Sequence, residues 1–406
     1  MPSIPAGDNS SPSSAVVLAA GEGIRLRPLT ANRPKPMLPA GTQPILEYVL
    51  NALIDAGIDD IHLVVGYQAN RVRSHFGPTY RDVPITYHTQ ANQLGSGHAL
   101  LQARKGPDGA FLLVNGDQII DSRIVEAVSS SHSETAATLA VVEGADAADY
   151  GAIRLDGDHV TQLAEQPKTG DFRLFNAGVY AFSQQIFETL DTLSVDRGEL
   201  PLTVAIQQLI ADDDHAVGGV RTDHFWMDAT HPWDLLTLTR ELLTREWVDA
   251  PAVEKSTYVA DSARVHPDAT LVAPVVIDSD AVIEAGAVVG PYTAIGASTT
   301  IGASTVIRDA VVDTDTMIGS NTTANEVVVG QGCEIGANLT ATGGPATVVV
   351  DEQVHSDVDL GGVIADRVEI GGGATLEPGA LIGPEATIGH GVVVHGRVDG
   401  GSEVVR

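Results

Sequence analysis

Between Val259 and Ile307 an aliphatic residue recurs at every sixth position: Val259, Val265, Leu271, Ile277, Ile283, Val289, Ile295, Ile301 and Ile307, without a break. A period of six matches neither an α-helix, whose faces repeat every ~3.6 residues, nor a strand, whose faces repeat every ~2. It fits a solenoid in which each coil of three short strands places one apolar residue at each inner corner. One such coil has nothing to bury its aliphatic residues against except the next, so the register must persist through many coils. A second run, Val358, Ile364, Ile370, Leu376, Ile382, Ile388 and Val394, keeps the period in its own register. Residues 313–357 break it, which predicts an irregular coil or a protruding loop there.

The phrases IGAST-TIGAST and GALIGPEATIGHG resemble the hexapeptide repeat of left-handed parallel β-helices. Upstream the grammar differs. From Ala15 to about Trp247, short β-rich runs (AVVLAA, IHLVVGY, AFLLVNGD) alternate with longer helical ones such as ILEYVLNALIDAG. That alternation predicts βαβ crossovers and a Rossmann-like, parallel or mixed sheet covered on both faces. The fold class is therefore α/β, a Rossmann-like domain over 15–248 followed by a left-handed β-helix over 252–400. Residues 1–14, rich in Ser, Pro and Gly, offer little to bury and are predicted to form a disordered tail. In open α/β sheets ligands sit beyond the carboxyl ends of the strands, which places Gly21–Arg27 and Gly116–Asp117 at one rim.

The 53 acidic residues against 23 Lys and Arg give a formal net charge of −30. Such a surface repels phosphate backbones and anionic lipid, so nucleic-acid and membrane-surface binding are not expected. Lysine is reduced to Lys35, Lys105, Lys168 and Lys255, a balance that resembles proteins of salt-saturated cytoplasm. Cys333 alone permits no internal disulfide. No apolar run approaches the ~18 residues of a membrane span, and the N-terminus lacks the layout of a secretion signal. A cytoplasmic protein is expected.

The loop Gly21-Glu22-Gly23-Ile24-Arg25-Leu26-Arg27-Pro28-Leu29-Thr30, followed by Arg33-Pro34-Lys35-Pro36, has the makings of a phosphate cradle. Glycines turn the chain tightly and expose N–H groups to phosphate oxygens, and Arg and Lys neutralise the charge that remains. Asn115-Gly116-Asp117 ends an apolar run and Trp226-Met227-Asp228 ends another, so two carboxylates are set at the sheet rim. Mg²⁺ favours one or two carboxylates together with substrate phosphates.

Together these segments resemble the signature of sugar-1-phosphate nucleotidyltransferases, GxG(T/S)RLxPLTxxxPKPxLP, with Ile24 in place of the usual small hydroxyl residue. The resemblance implies that Ala19, Ala20 and Gly21 lie against base and ribose, that Arg25 contacts the triphosphate, that Lys35 bridges the reacting phosphates, and that Asp117 and Asp228 bind Mg²⁺. Gln90-Ala91-Asn92-Gln93-Leu94-Gly95-Ser96-Gly97-His98-Ala99 resembles the QxxQLGTGHA loop of uridylyltransferases that activate N-acetylglucosamine 1-phosphate. Gln90 is the candidate for base recognition, its amide pairing with the donor and acceptor edge of uracil, and Gly95 and Ser96 line the nucleotide. Gly151, Glu165 and Asn176 match the family's sugar-binding elements. Lys168, two residues beyond the position that often holds a phosphate-contacting Lys, is the candidate for the sugar phosphate.

The expected substrates are UTP, or dTTP, and a sugar 1-phosphate, either N-acetylglucosamine 1-phosphate or glucose 1-phosphate. The domain order resembles archaeal bifunctional uridylyltransferase/acetyltransferases, which also use acetyl-CoA. Where those carry His-x-x-Tyr, this chain reads Ile318-Gly319-Ser320-Asn321-Thr322-Thr323, and where they carry basic residues it reads His355-Ser356-Asp357-Val358-Asp359. Acidic residues there repel a phosphate. The β-helix is therefore expected to serve oligomerisation, most readily as a trimer, or regulation. A bifunctional enzyme, a thymidylyltransferase and a non-catalytic regulatory subunit stay open as alternatives. His266, His355, His390 and His395 are the histidines available to a hidden acetyltransferase base.

Overall fold

The computed structural model describes residues 12–133, 135–144, 150–165, 167, 172–193, 198–212 and 216–405. The chain divides into two compact units, one made of residues up to Gly21 and Ile45–Met227, the other of Glu22–Pro44 and Asp228 onward. Each unit is assembled from two separate stretches of the chain. The glycine-rich segment after Gly21 groups with the β-helix rather than with the sheet that precedes it.

The first unit is built on one mixed sheet. Its parallel half places Val83–Thr89, Asp60–Val65, Ser14–Ala19 and Phe111–Asn115 side by side. Leu174–Phe182 then runs antiparallel to both Phe111–Asn115 and Ala137–Glu143. Runs such as AVV and FLLV are fully buried because helices cover both faces, which is why they read as continuous apolar stretches without alternation. The first strand begins at Ser14, paired with Asp60, and Ser13 O accepts the Asp59 N–H at 3.1 Å. The last residues of the expected tail are thus tied to the sheet, while 1–11 lie outside the described residues.

The second unit carries three sheets that form a three-sided parallel β-helix. Thr257 pairs with Val275 and Val275 with Thr293, a step of eighteen residues per coil. The aliphatic series fills the axis, with Ile277, Ile283, Val289, Ile295, Ile301 and Ile307 all at most 1% exposed. At the corners Asp280, Ser298, Ser304, Asp315 and Asn321 take left-handed φ of 56–58°, a conformation that short polar side chains tolerate better than most. Buried Thr299 and Thr316 donate to the carbonyls of Asp313 and Gly330 at 3.0 Å, so both of these hydroxyls are satisfied.

The break expected at 313–357 has two causes. One side of the coil shortens by a residue, so Thr293 pairs with Ala310, seventeen positions on. The axial series continues as Val312, Ile318, Ala324, Val329, Ile335 and Ala341, all buried. Then Pro345–Val350 and Gln353–Asp359 form an antiparallel hairpin, after which Val327 pairs with Gly362 and the coils resume. The protruding loop is this hairpin, and the coils around it stay regular. Val358 belongs to the hairpin, opposite Ala346, so the second axial run starts at Ile364.

Candidate active site

Within the second unit, Gly23 adopts φ 65°, and a Cβ there would stand 2.8 Å from Lys35 Cβ. Only glycine lets the Pro-Lys-Pro segment close down on the loop. Thr30 Oγ1 donates to Gly23 O at 2.7 Å, and buried Leu26 and Leu29 hold the short turns Ile24–Leu26 and Leu29–Ala31 in place. Arg25 and Ile24 point outward, Ile24 being 48% exposed.

Arg33 behaves differently from its neighbours. It is 5% exposed and its guanidinium is shared by Asp313 and Asp366, the latter at 2.7 Å. Asp366 Oδ1 also accepts the Gln331 N–H and Asp313 Oδ1 the Thr314 N–H, so both carboxylates are fixed by backbone. Burial works to lower the pKa of Arg33, but the two carboxylates outweigh it and hold the group above its ordinary range. The sequence shows Arg33 as one more basic residue of a phosphate loop. In the structure it is an anchor, fastened to two coils of the β-helix that have one further coil between them.

Lys35 Nζ lies 3.9 Å from Asp228 Oδ2, with the two side chains 12% and 19% exposed. Thr230 Oγ1 donates to the same oxygen at 3.3 Å. Behind it, Asp234 Oδ2 accepts the amides of Thr230 and His231 at 2.8 and 2.6 Å, closing the turn that leads into helix Asp234–Thr244. His231 stacks on Trp233 at 4.7 Å with rings 5° from parallel, and His355 of the hairpin meets both edge-on. Burial, with His355 and Arg25 adding to it, pushes the His231 imidazole down to about 4. Sequence reasoning missed His231 and Trp233, and it considered His355 only as a candidate acetyltransferase base.

In the first unit, Gly116 N donates to Leu18 O at 2.8 Å, and a Cβ on Gly116 would stand 2.9 Å from that oxygen. This close crossing sets half-buried Asp117 at the carboxyl rim, next to the end of the first strand. Ala20 O accepts the Tyr67 N–H and the Gln93 side-chain amide, and a Cβ on Gly66 would stand 2.9 Å from Ala20 O and 3.0 Å from Gln90 O. Ala19, Ala20, Gln90 and Gln93 therefore lie near one another at one rim of the sheet. Gly95, φ 92°, is pressed against Leu200 O, and Ser96 Oγ accepts the Leu202 N–H at 2.9 Å. Ser96 thus latches its loop to the Leu200–Leu202 segment.

Gln90 departs from the sequence expectation. Its amide nitrogen donates to Gly95 O and to His98 Nδ1, both at 3.0 Å. The amide donor is committed within the protein, so the side chain cannot pair with both edges of a base.

On the other side of the same unit, Gly151 pairs with Glu165, and a Cβ on Gly151 would meet Asn176 Cβ at 3.6 Å. Asn176 Nδ2 donates to Tyr180 Oη at 2.5 Å and its Oδ1 accepts the Gly178 N–H at 3.1 Å. Gly178 takes φ 69°, with Asn115 Nδ2 only 2.5 Å from where a Cβ would be. Tyr150 stacks on Phe175 and both meet Trp226, whose Nε1 donates to Ala177 O at 2.7 Å and to Gln118 Oε1 at 3.0 Å. Gly151, Glu165 and Asn176 are thus assembled on one aromatic floor. Lys168 lies outside the described residues.

The structure brings Lys35 to Asp228, and Arg25 within electrostatic reach of His231, in the second unit. Asp117, Gln90, Gly95, Gly151, Glu165 and Asn176 belong to the first. Among the described residues no three His, Cys, Asp or Glu side chains gather as a metal cage. Mg²⁺ takes few protein carboxylates and fills its shell with phosphate oxygens and water.

A family model described as nucleotidyl transferase matches residues 14–245, and one described as the GMPPB C-terminal domain matches residues 271–361. The bifunctional protein GlmU of Methanococcus aeolicus is 31% identical over 407 residues, covering 97% of each chain. The protein of the same name from Methanocaldococcus jannaschii is 32% identical over 402 residues, 92% of this chain and 93% of that one. A UTP–glucose-1-phosphate uridylyltransferase, AglF, of Haloferax volcanii is 35% identical over 225 residues, 54% of this chain and 92% of its own. Among solved structures, the inositol-1-phosphate CTP transferase from T. maritima superposes with a TM-score of 0.52 at 18% identity, covering 60% of this chain and all of that one. That likeness concerns the fold.

Proposed function

The chain belongs to the nucleotidyl transferase family, and from that premise we propose that it transfers UMP from UTP to a sugar 1-phosphate, N-acetylglucosamine 1-phosphate or glucose 1-phosphate, releasing pyrophosphate. The observation that carries the reading is the pairing of Lys35 with Asp228 behind a glycine loop closed by Gly23. A cation and a carboxylate from distant stretches are held together where a triphosphate and its metal would need both.

In this reading the phosphate oxygen of the sugar 1-phosphate attacks the α-phosphorus in line. One P–O bond forms as the bond to the leaving pyrophosphate breaks. No covalent enzyme intermediate is needed, so catalysis is positioning and charge neutralisation. Arg25 and Lys35 neutralise phosphate charge, and Gln90 and Gly95 hold the base. Glu165 and Asn176 hold the sugar hydroxyls over the Tyr150–Phe175–Trp226 floor. Mg²⁺ held by Asp117 and Asp228 would supply further charge to the phosphates when bound. Lys168 remains the candidate for the sugar phosphate.

The relatives described as bifunctional raise acetyl transfer from acetyl-CoA to glucosamine 1-phosphate as a second reading. Two observations favour a single activity. His355 is used against His231 and Trp233. The groove of about 380 Å³ that contains His390 also carries Glu334 and Glu369, an unfavourable setting for CoA phosphates. His395 pairs with Glu377, and His266 accepts the Asp268 N–H. We read the β-helix as the module through which copies assemble, with a trimer expected. The cytoplasm, where nucleoside triphosphates and sugar phosphates are held, is the expected location. Among the described residues no helix is long and apolar enough to cross a membrane.

The test is pyrophosphate release by the purified full chain at high salt with Mg²⁺, against a panel of nucleoside triphosphates and sugar 1-phosphates. UTP is expected to give the fastest release. Release with no pairing of nucleotide and sugar phosphate would overturn the reading. Thiol release from acetyl-CoA with glucosamine 1-phosphate is expected to be absent.

A further inference from the structure

Gln90 is 4% exposed and closes the strand Val83–Thr89, its backbone N–H donating to Val65 O at 2.8 Å. Its amide nitrogen faces Gly95 O at 3.0 Å. A carbonyl oxygen can only accept, so this contact fixes which end of the amide is nitrogen. The second amide hydrogen is directed at His98 Nδ1, also at 3.0 Å. For that bond Nδ1 must be the unprotonated nitrogen and the ring proton must sit on Nε2. Gln102 bears on the other end of the same ring. Its amide nitrogen donates to the His98 carbonyl at 3.0 Å and lies 3.3 Å from His98 Nε2. A neutral imidazole has one acceptor nitrogen, so the two glutamines compete for it, and the shorter contact belongs to Gln90. No hydrogen bond among the described residues uses the Gln90 carbonyl oxygen.

We infer that His98 is the specificity-determining positioning residue of the base pocket: Gly95 O holds one Gln90 amide hydrogen, and by accepting at Nδ1 His98 takes up the second, so that only the side-chain carbonyl oxygen is offered to the ligand. A lone acceptor reads a donor. Uracil and thymine carry an imide N3–H, whereas cytosine carries an unprotonated N3 with a lone pair, so a carbonyl there attracts the first two and repels the third. The inference deepens the uridylyl-transfer reading and rests on it for the identity of the ligand as a pyrimidine nucleotide.

The test measures binding of UTP and CTP to the full chain by calorimetry, apart from any turnover. Wild type is expected to prefer UTP by about tenfold or more, the scale of one buried hydrogen bond exchanged for a repulsion. His98→Asn sets an oxygen acceptor near the Nδ1 position and is expected to keep the preference. His98→Gln places its acceptor near Nε2 instead, and with His98→Leu is expected to reduce the preference to within about twofold while melting stays cooperative. Gln90→Leu should abolish the preference, and adding His98→Gln to it should change nothing further. If His98→Leu does not fold, the Asn and Gln variants decide the matter, since both are polar and differ in where the acceptor lies. Equal preference in those two, or none in wild type, overturns the inference. UTP-selective binding without pyrophosphate release would instead overturn the proposed reaction and leave this inference standing. Release with UTP and an unchanged preference in His98→Gln would do the reverse.

Discussion

Arg33 donates to Asp366 across a 2.7 Å contact although 333 residues of chain separate them. The guanidinium fork is also bound by Asp313, so one side chain of the glycine-loop segment is clamped by two carboxylates of the β-helix. The loop that carries Arg25 and Lys35 is therefore held from behind by the β-helix, and the two are expected to fail together.

Replacing Arg33 by Met leaves two buried carboxylates without their cation. Breaking a buried ion pair from one side costs about 3–5 kcal/mol, so a lowered melting temperature and reduced pyrophosphate release are both expected. Arg33→Lys should recover only part of the loss, because the single nitrogen of an ammonium cannot occupy both places that the two terminal guanidinium nitrogens fill. Melting curves of the two variants check this, and a Lys variant as stable as wild type would count against the clamp.

Lys35→Ala and Asp228→Asn remove the two halves of the 3.9 Å pair. Each is expected to lower pyrophosphate release by about a hundredfold or more, the scale of a lost charge-stabilising group, with the melting temperature within a few degrees of wild type. Asp117→Ala is expected to behave likewise. Steady-state rates with UTP and a sugar 1-phosphate, read beside far-ultraviolet dichroism, are the check. Full activity in any one variant removes that residue from the mechanism.

Gly23→Ala forces a Cβ to within 2.8 Å of Lys35 Cβ at a residue with φ 65°. Strain at a left-handed residue and displacement of Lys35 act together, at about 1–3 kcal/mol for the backbone alone. A fall in turnover larger than the fall in nucleotide binding is expected, because the side chain displaced is the one proposed to bridge the reacting phosphates. Comparing rate constants with binding constants for UTP separates the two.

His231 titrates at about 6.5 in an unfolded chain and at about 4 here, with His355, Arg25 and Asp234 as its charged or titratable neighbours. Between those values the unfolded chain binds the additional proton, so stability falls as pH drops through 6.5 toward 4 and levels off below. Above 6.5 the site contributes no pH dependence. Melting temperatures of wild type and His231→Gln at pH 7.5, 5.5 and 4 are expected to converge as the pH falls. A gap that stays constant across that range would refute the assignment.

The six-residue period announced the β-helix because each aliphatic residue answers to one geometric demand, to reach the axis from the middle of a flat side, and the chain repeats that demand without exception up to Ile307. Beyond it the period seemed lost only because one side shortens by a residue and a hairpin follows Ala341. The axial positions Val312, Ile318 and Ala324 obey the same rule with a different count. Gly23, Asp117 and Asn176 were legible for a similar reason, since tight turns and strand ends are local events written in short strings.

What lay beyond the sequence are the partnerships made by distance in the chain. Nothing in Arg33-Pro34-Lys35 distinguishes the arginine that is buried in a carboxylate clamp from the lysine beside it that reaches Asp228. That depends on where Asp313 and Asp366 stack in the solenoid. Nor does the string from Gln90 to His98 reveal that Gln90 spends its amide hydrogens inside the protein. Composition, periodicity and local turns determined the architecture and the set of reactive groups, because those follow from each residue's immediate neighbours. Which groups face a ligand and which face one another was decided by tertiary structure, because hydrogen-bond and ion-pair partners are assigned only when remote segments are packed together and water is withdrawn.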